Sequence, residues 1–392
     1  MTNTFQKNPI EHQNLRNRGR VVDEPQINSW LRLIRDRRWS LRQKHILLEA
    51  FACPTNIYAC STQGLAELKL GKINNVSDNG LVFKLDQDLR WLEDNEHSLI
   101  TIYDENYPNL LKEIYDPPIA LFAKGKLACL KDPKVAMVGS RRPTPVGSKL
   151  TERLASDLAQ LGVVITSGMA LGVDGGAHQA ALSVNSPTIA IMGCGLDTIY
   201  PVRHRGLFEQ IAISGCLLSE YPLGTPPVRY NFPQRNRIVS GLSLGVVIIE
   251  AAERSGTIIT ARLAMEQNRQ VMVVPGSALS PQYKGSHRLI RQGAAIVTDV
   301  DDIIHALATP LQDLLGKIKD DQVLINDDRL GGDEKKIVEN SLLEHINYES
   351  TNVNDIILAS GLTAAEVSSM LLMLEVEGLI AIADDGGYSR LC

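Results

Sequence analysis

At 392 residues the chain has room for two or three domains, each large enough to bury its own core. Its overall charge of −5 points to no partner, but residues 131–300 carry seventeen Lys and Arg against eleven Asp and Glu (net +6), and residues 333–392 carry three against eleven (net −8), so the two regions meet different electrostatic partners. No apolar run is long enough to span a membrane, the first residues lack the apolar core of a signal peptide, and the six cysteines show neither CxxC nor metal spacing, so a soluble cytoplasmic chain with reduced thiols is expected.

In chain order, residues 1–25 are polar and without periodicity and read as a disordered tail. Residues 26–84 form a small helical domain, with Trp30, Leu31, Ile34, Ile46, Leu47, Phe51, Leu65 and Leu68 at helical spacing. Its turn, Arg35-Asp36-Arg37-Arg38-Trp39, has no glycine to bring backbone amides onto phosphate, so packing is favoured over DNA gripping. Residues 98–102 and 120–123 read as short strands that extend the sheet to come. Seven strands follow at 135–138, 163–166, 188–192, 216–219, 245–249, 271–274 and 294–297. Helices are read at 146–161, 173–183, 204–213, 258–267 and 287–291. Apolar strands alternating with helices imply an α/β fold, a doubly wound parallel sheet of extended Rossmann-like type over residues 85–308. Residues 309–332 read as a linker, and residues 333–392 as a winged-helix domain of three helices and a hairpin.

The sheet domain is organised around Gly139-Ser140-Arg141, a turn between a strand and a helix that presents backbone N–H groups to an anion, with Arg141 and Arg142 adding fixed charge. Later strand ends repeat the design: Ser167-Gly168, Gly193-Cys194-Gly195, Glu250 to Thr257 and Pro275-Gly276. In an open parallel sheet these ends share one edge, so a ligand with several phosphates is indicated. Ser255-Gly256-Thr257 makes an anion-binding helix start. Arg203 and Arg205 flank His204 at another helix start, where cations oppose the helix dipole and so point to an anion. Phe232 followed by Arg235-Asn236-Arg237 combines a stacking face with phosphate partners, the means by which single-stranded nucleic acid is held, although a buried Phe232 beside structural arginine pairs fits equally well. GxGxxG with a ribose carboxylate and GK[ST] are both absent, which argues against nicotinamide and ATP sites. Asp174 and His178 share a helix face, and with no second histidine at metal spacing a structural pair is expected.

The strings VGSR at 138–141, SGMALGVDGGAH at 167–178, GCGLDTIYP at 193–201, LLSEYP at 217–222, FPQRNRIVSGLS at 232–243, IIEAAERSGTIITARLA at 248–264 and VVPG at 273–276 together resemble the DNA-processing protein A (Smf) family over residues 90–305. The resemblance implies a non-enzymatic single-stranded-DNA-binding protein that helps load the RecA recombinase during natural transformation, and a homodimer formed through the Rossmann-like domain. It places the family's phosphate site on Gly139, Ser140 and Arg141. The family's basic loop falls on Val202 to Arg205, where Val202 occupies the usual basic position and Arg203 or Arg205 supplies the charge. No cofactor, metal or catalytic residue is implied. The alternative is a hydrolase resembling the lysine-decarboxylase-like phosphoribohydrolases. These place a catalytic glutamate after the glycine-rich helix start, and here Ile258, Ile259, Thr260 and Ala261 stand in that place. The acidic third helix and hairpin of the C-terminal domain, with Asp384 and Asp385, oppose DNA contact and suggest a protein-interaction module.

Overall fold

Nine strands form one sheet in the computed structural model, which describes residues 24–61, 81–308 and parts of 65–70 and 342–390. The linker expected at 309–332 and the tail expected at 1–25, apart from Glu24 and Pro25, lie outside the described residues. Seven strands run parallel: β3 (Lys134–Val138), β4 (Val164–Ser167), β5 (Thr188–Ile191), β6 (Cys216–Ser219), β7 (Gly245–Ile248), β8 (Gln270–Val273) and β9 (Ala295–Ile296). Two more, β1 (His97–Thr101) and β2 (Ala120–Gly125), pair antiparallel and continue the sheet beyond β6. The order is β1-β2-β6-β5-β4-β3-β7-β8-β9. Strand order therefore reverses between β3 and β7, where an open sheet leaves its crevice.

Residues alternate between the two faces of each strand, and both faces are covered. On one face Ala136, Val138, Ile189, Ile191, Val246 and Ile248 pack under α9 (Asn231–Gly241), α10 (Gly256–Glu266) and α11 (Lys284–Arg291). On the other, Val135, Met137, Ile165 and Val247 pack under α6 (Pro145–Gln160) and α7 (Val173–Ser183). The remainder of that face is covered by α8 (Arg205–Ser214) and by the N-terminal helices α1 (Glu24–Arg35), α2 (Leu41–Phe51) and α3 (Pro54–Ala59). Two further helices are α4 (Leu81–Leu92) and the short α5 (Asn109–Lys112). Helix α9 was not among the expected helices because Pro233 interrupts its pattern. Proline there falls in the first turn, where its missing N–H has no partner to lose.

The N-terminal helices share a core with the sheet. Trp30, Leu31, Leu47 and Ile57 lie in one buried cluster with Leu99, Phe122, Met192, Phe208 and Leu217. In the C-terminal region, α12 (Val353–Ser360) and the hairpin β10 (Ile380–Ile382)–β11 (Tyr388–Arg390) are described, with Leu342, Ile346, Ile356, Val367, Leu371 and Ile380 as their core. Residues Asp384 and Asp385, and much of the expected third helix, lie outside the described residues. Phe122, fully buried where the helices meet β2, is expected to tie helices and sheet into one unit. Phe122→Ala should cost about 3–5 kcal/mol, read from the denaturant midpoint at unchanged m-value.

Candidate nucleic-acid interface

The loops after β3 to β8 leave the sheet at its carboxyl edge. The first carries Gly139-Ser140-Arg141 into the crevice at the strand-order reversal. Gly139 has no room for a side chain, since a Cβ would lie 2.7 Å from the Val173 side chain. The Ser140 carbonyl accepts from Val173 N at 3.1 Å, anchoring the turn on the start of α7, while the Ser140 hydroxyl accepts from Arg142 N at 3.1 Å. That start requires Gly172, whose φ of +85° and close approach to the Ser140 and Arg141 backbone exclude other residues. The backbone is thus fixed on both sides while Arg141 and Arg142 remain exposed.

Buried Glu250, at the end of β7, braces the same loop. Its carboxylate accepts from Thr144 N at 3.1 and 3.2 Å, from the Thr144 hydroxyl and from Tyr283 OH at 3.0 Å. Thr144 in turn caps α6 by accepting from Gly147 N at 3.0 Å. Across the crevice, Thr257 donates to the Gly139 carbonyl at 3.1 Å. Ser255 precedes α10 without capping it, and its hydroxyl is buried with no hydrogen-bond partner among the described residues. Gly256 faces open space. An uncapped helix start with an orphan hydroxyl beside an arginine turn is chemically suited to an anionic oxygen.

Arg203 and Arg205 are exposed, and the residue between them is turned inward. The His204 Nδ1 lies 3.1 Å from the Met169 carbonyl, and its ring fills the space that a Cβ on Gly175 would need. Phe232 is partly buried against Gly193, with the Tyr200 ring centroid 5.4 Å away. Tyr200 is the more open partner of that pair.

Arg235, Arg237, Ser167 and Gly168, expected as phosphate contacts, turn inward, which corrects the sequence reading. Arg235 is 4% exposed: its guanidinium donates to Gly168 O at 2.7 Å and to Ile191 O, and Asn236 accepts from its Nε at 3.2 Å. Arg237 is buried against Asp116 and Glu220, which neutralise it. The Ser167 hydroxyl donates to Met137 O at 2.6 Å, and Gly168 N donates to Asp174 Oδ2 at 3.1 Å. A Cβ on Gly168 would meet Arg235 at 2.6 Å. The motif F-P-Q-R-N-R is therefore largely framework, because α9 presents its arginines to the sheet. Exposed Arg229, Tyr230 and Arg254, on the same edge, were missed. The signal was present in the first two, which directly precede Asn231-Phe232-Pro233.

Asp174 and His178 do not form a pair. Asp174 accepts the amides of Gly168 and Ala170. Burial pushes its pKa up and Arg235 opposes that shift. His178 lies 2.7 Å from the Thr188 hydroxyl, which itself donates to Ile165 O at 2.7 Å, and burial pushes its pKa down to about 3, so it is neutral. No group of three or more His, Cys, Asp or Glu among the described residues has metal-holding geometry, and no described helix is long and apolar enough to cross a membrane.

The chain is similar to known proteins in sequence and in fold. The family model described as DNA recombination-mediator protein A matches residues 98–308, and the model described as DprA winged helix domain matches residues 333–386. The chain is 42% identical over 308 residues to Protein Smf of Escherichia coli (strain K12), covering 78% of this chain and 81% of that protein. It is 42% identical over 245 residues to DNA processing protein DprA of Streptococcus pneumoniae, covering 61% of this chain and 86% of the relative. The X-ray structure of DNA processing protein A from Streptococcus pneumoniae superposes with a TM-score of 0.61 at 36% identity, covering 71% of this chain and 97% of that one.

Removing Arg235 leaves Asp174 buried without its cation. Arg235→Met should cost about 3–5 kcal/mol near neutral pH. Because burial raises the folded-state pKa of Asp174, stability falls as pH rises from the unfolded value through the folded one, and loss of Arg235 extends that window upward. The destabilisation should therefore be smaller near about pH 4 than near about pH 7, as denaturant titrations at the two values would register.

Proposed function

The chain belongs to the DNA recombination-mediator protein A family, and from that membership we propose that it is a non-enzymatic mediator that holds single-stranded DNA along the carboxyl edge of its sheet and helps load a RecA recombinase during natural transformation. It acts as a cytoplasmic homodimer joined through the sheet domain, with residues 26–84 as a helical module and 333–392 as a winged-helix module. The observation that carries the reading is the arrangement of exposed Arg141, Arg142, Arg203, Arg205, Arg229 and Arg254 on the loops of one sheet edge, beside Tyr200 and Tyr230. Gly139, Ser140, Ser255, Gly256 and Thr257 supply its anion-binding crevice. Phosphate pairing supplies affinity without base information, and accessible ring faces accept any base. Arg235 and Arg237 act indirectly, by holding the edge in shape.

The hydrolase reading lacks the glutamate it needs within α10, where Ile258, Ile259, Thr260 and Ala261 stand. Both Glu250 oxygens accept hydrogen bonds from Thr144, and Oε1 also accepts from Tyr283, so the nearby carboxylate is committed to holding the loop. No base release from nucleoside monophosphates is expected, and sustained release would overturn the non-enzymatic assignment.

Single strands should bind more tightly than duplex, with affinity falling steeply as salt rises. Arg141→Ala should weaken binding to all sequences alike and reduce the salt slope by about 0.7. Anisotropy titrations over a salt series test both points, and equal affinity for duplex would sink the proposal. The C-terminal module, with its net charge of −8 (three basic residues against eleven acidic), would be repelled by a phosphate backbone and is assigned to protein contacts. Deleting residues 331–392 should leave single-strand affinity unchanged, whereas a drop of about an order of magnitude would show that the module grips DNA.

A further inference from the structure

Arg35, the last residue of α1, does not face solvent. Its guanidinium pairs with Asp88 of α4, with Nη2 2.6 Å from Oδ1 and Nε against Oδ2. The side chains of Arg35 and Asp88 are 7% and 0% exposed. Nη2 also donates to the backbone carbonyl of Leu223, 188 residues further along, at 3.0 Å. A guanidinium fixed by a carboxylate on one side and a carbonyl on the other cannot swing out without leaving Asp88 buried and uncompensated.

Leu223 begins the loop that leads to Arg229 and Tyr230. Its side chain is buried in the cluster that joins the N-terminal helices to the sheet. The following residues are held from the β5 loop: Gly224 N donates to the Asp197 carboxylate at 2.9 and 3.0 Å, and Gly195 N donates to Thr225 O at 3.0 Å. At the far end Asn231 Nδ2 donates to Gly193 O at 3.0 Å, and Tyr221 OH donates to Asn231 O at 3.2 Å. Between these anchors Arg229 and Tyr230 stand exposed. The N-terminal helices reach this loop through Leu223, by Arg35 at its carbonyl and by packing at its side chain.

We infer that Arg35 is a positioning residue for the single-strand interface, coupling the helical module through the Leu223 carbonyl to the loop that presents Arg229 and Tyr230. The inference rests on the reading of that edge as a DNA interface. It gives the helical module a part in binding that requires no DNA contact of its own, in keeping with its glycine-free turn. A loop ordered in advance spares the complex the entropy of fixing two rotamer-rich side chains on binding.

The test uses the full chain, a fluorescein-labelled oligothymidylate, and amide hydrogen exchange in the absence of DNA. In Arg35→Met, exchange across residues 223–230 should accelerate while β3 to β8 stay protected. Affinity should fall about tenfold with an unchanged salt slope, because no phosphate contact is lost. Arg35→Lys, which keeps the charge but not the fork, should recover affinity only in part. Arg229→Ala should instead lower both the affinity and the slope. Should Arg35→Met fail to fold, Asp88→Asn releases the same guanidinium with little change of shape and should show the same pattern. Unchanged exchange or affinity in the folded variant would overturn the inference, as would a reduced slope, which would make Arg35 a direct phosphate contact. Loss of binding in Arg141→Ala and Arg229→Ala without loss in Arg35→Met would overturn the positioning role alone. A wild-type chain that binds no oligothymidylate would remove the DNA reading itself, whatever the exchange rates.

Discussion

The carboxyl edge of the sheet depends on one buried cation. Arg235 reaches from α9 to the carbonyls that end β4 and β5, and Asp174 at the start of α7 provides the counter-charge while holding the amides of Gly168 and Ala170. Desolvation acts against both groups, depressing the arginine pKa and raising that of the aspartate, and each partner offsets the other's shift. Opposite charges buried near each other are tolerated when the hydrogen-bonding capacity of each is met, and here backbone groups largely meet it. Two strand ends and two helices are thereby fixed relative to each other in a region made otherwise of loops.

That framework separates the arginines of this edge into two kinds. Arg35, Arg235 and Arg237 are enclosed by carboxylates and carbonyls and define shape. Arg141, Arg142, Arg203, Arg205, Arg229 and Arg254 lie along that edge with their side chains in water. An exposed guanidinium retains its hydration and its reach, so its charge is available to a polyanion. A buried one has already exchanged water for protein partners. The seventeen Lys and Arg of residues 131–300 therefore overstate the cations at the surface, and their placement on one edge matters more than their number.

The N-terminal helices illustrate the same coupling at longer range. Strands β1 and β2 extend the sheet antiparallel beyond β6 and provide the floor on which Trp30, Leu47 and Ile57 pack. The helices and the β6–α9 loop are far apart in sequence and adjacent in space. A module with no glycine hairpin for phosphate can thus still bear on the loop through a carbonyl hydrogen bond.

Much of this was legible in the sequence because periodicity and turn chemistry are local. The parallel strands, the α7 helix at 173–183, the Gly139-Ser140-Arg141 turn and the family motifs follow from apolar alternation, glycine and the order of short strings. Helix α9 was missed because proline within a pattern reads as a break unless its place in the first turn is known. The direction in which a side chain points could not be read at all: Phe232-Pro233-Gln234-Arg235-Asn236-Arg237 and Tyr200-Pro201-Val202-Arg203-His204-Arg205 have the same aromatic and cationic composition. The sequence determined which residues carry positive charge near strand ends. Only the tertiary structure decided that Arg235 and Arg237 turn inward while Arg203 and Arg205 turn out, because burial is set by partners such as Asp174, Glu220 and Asp116 that the chain brings in from distant positions.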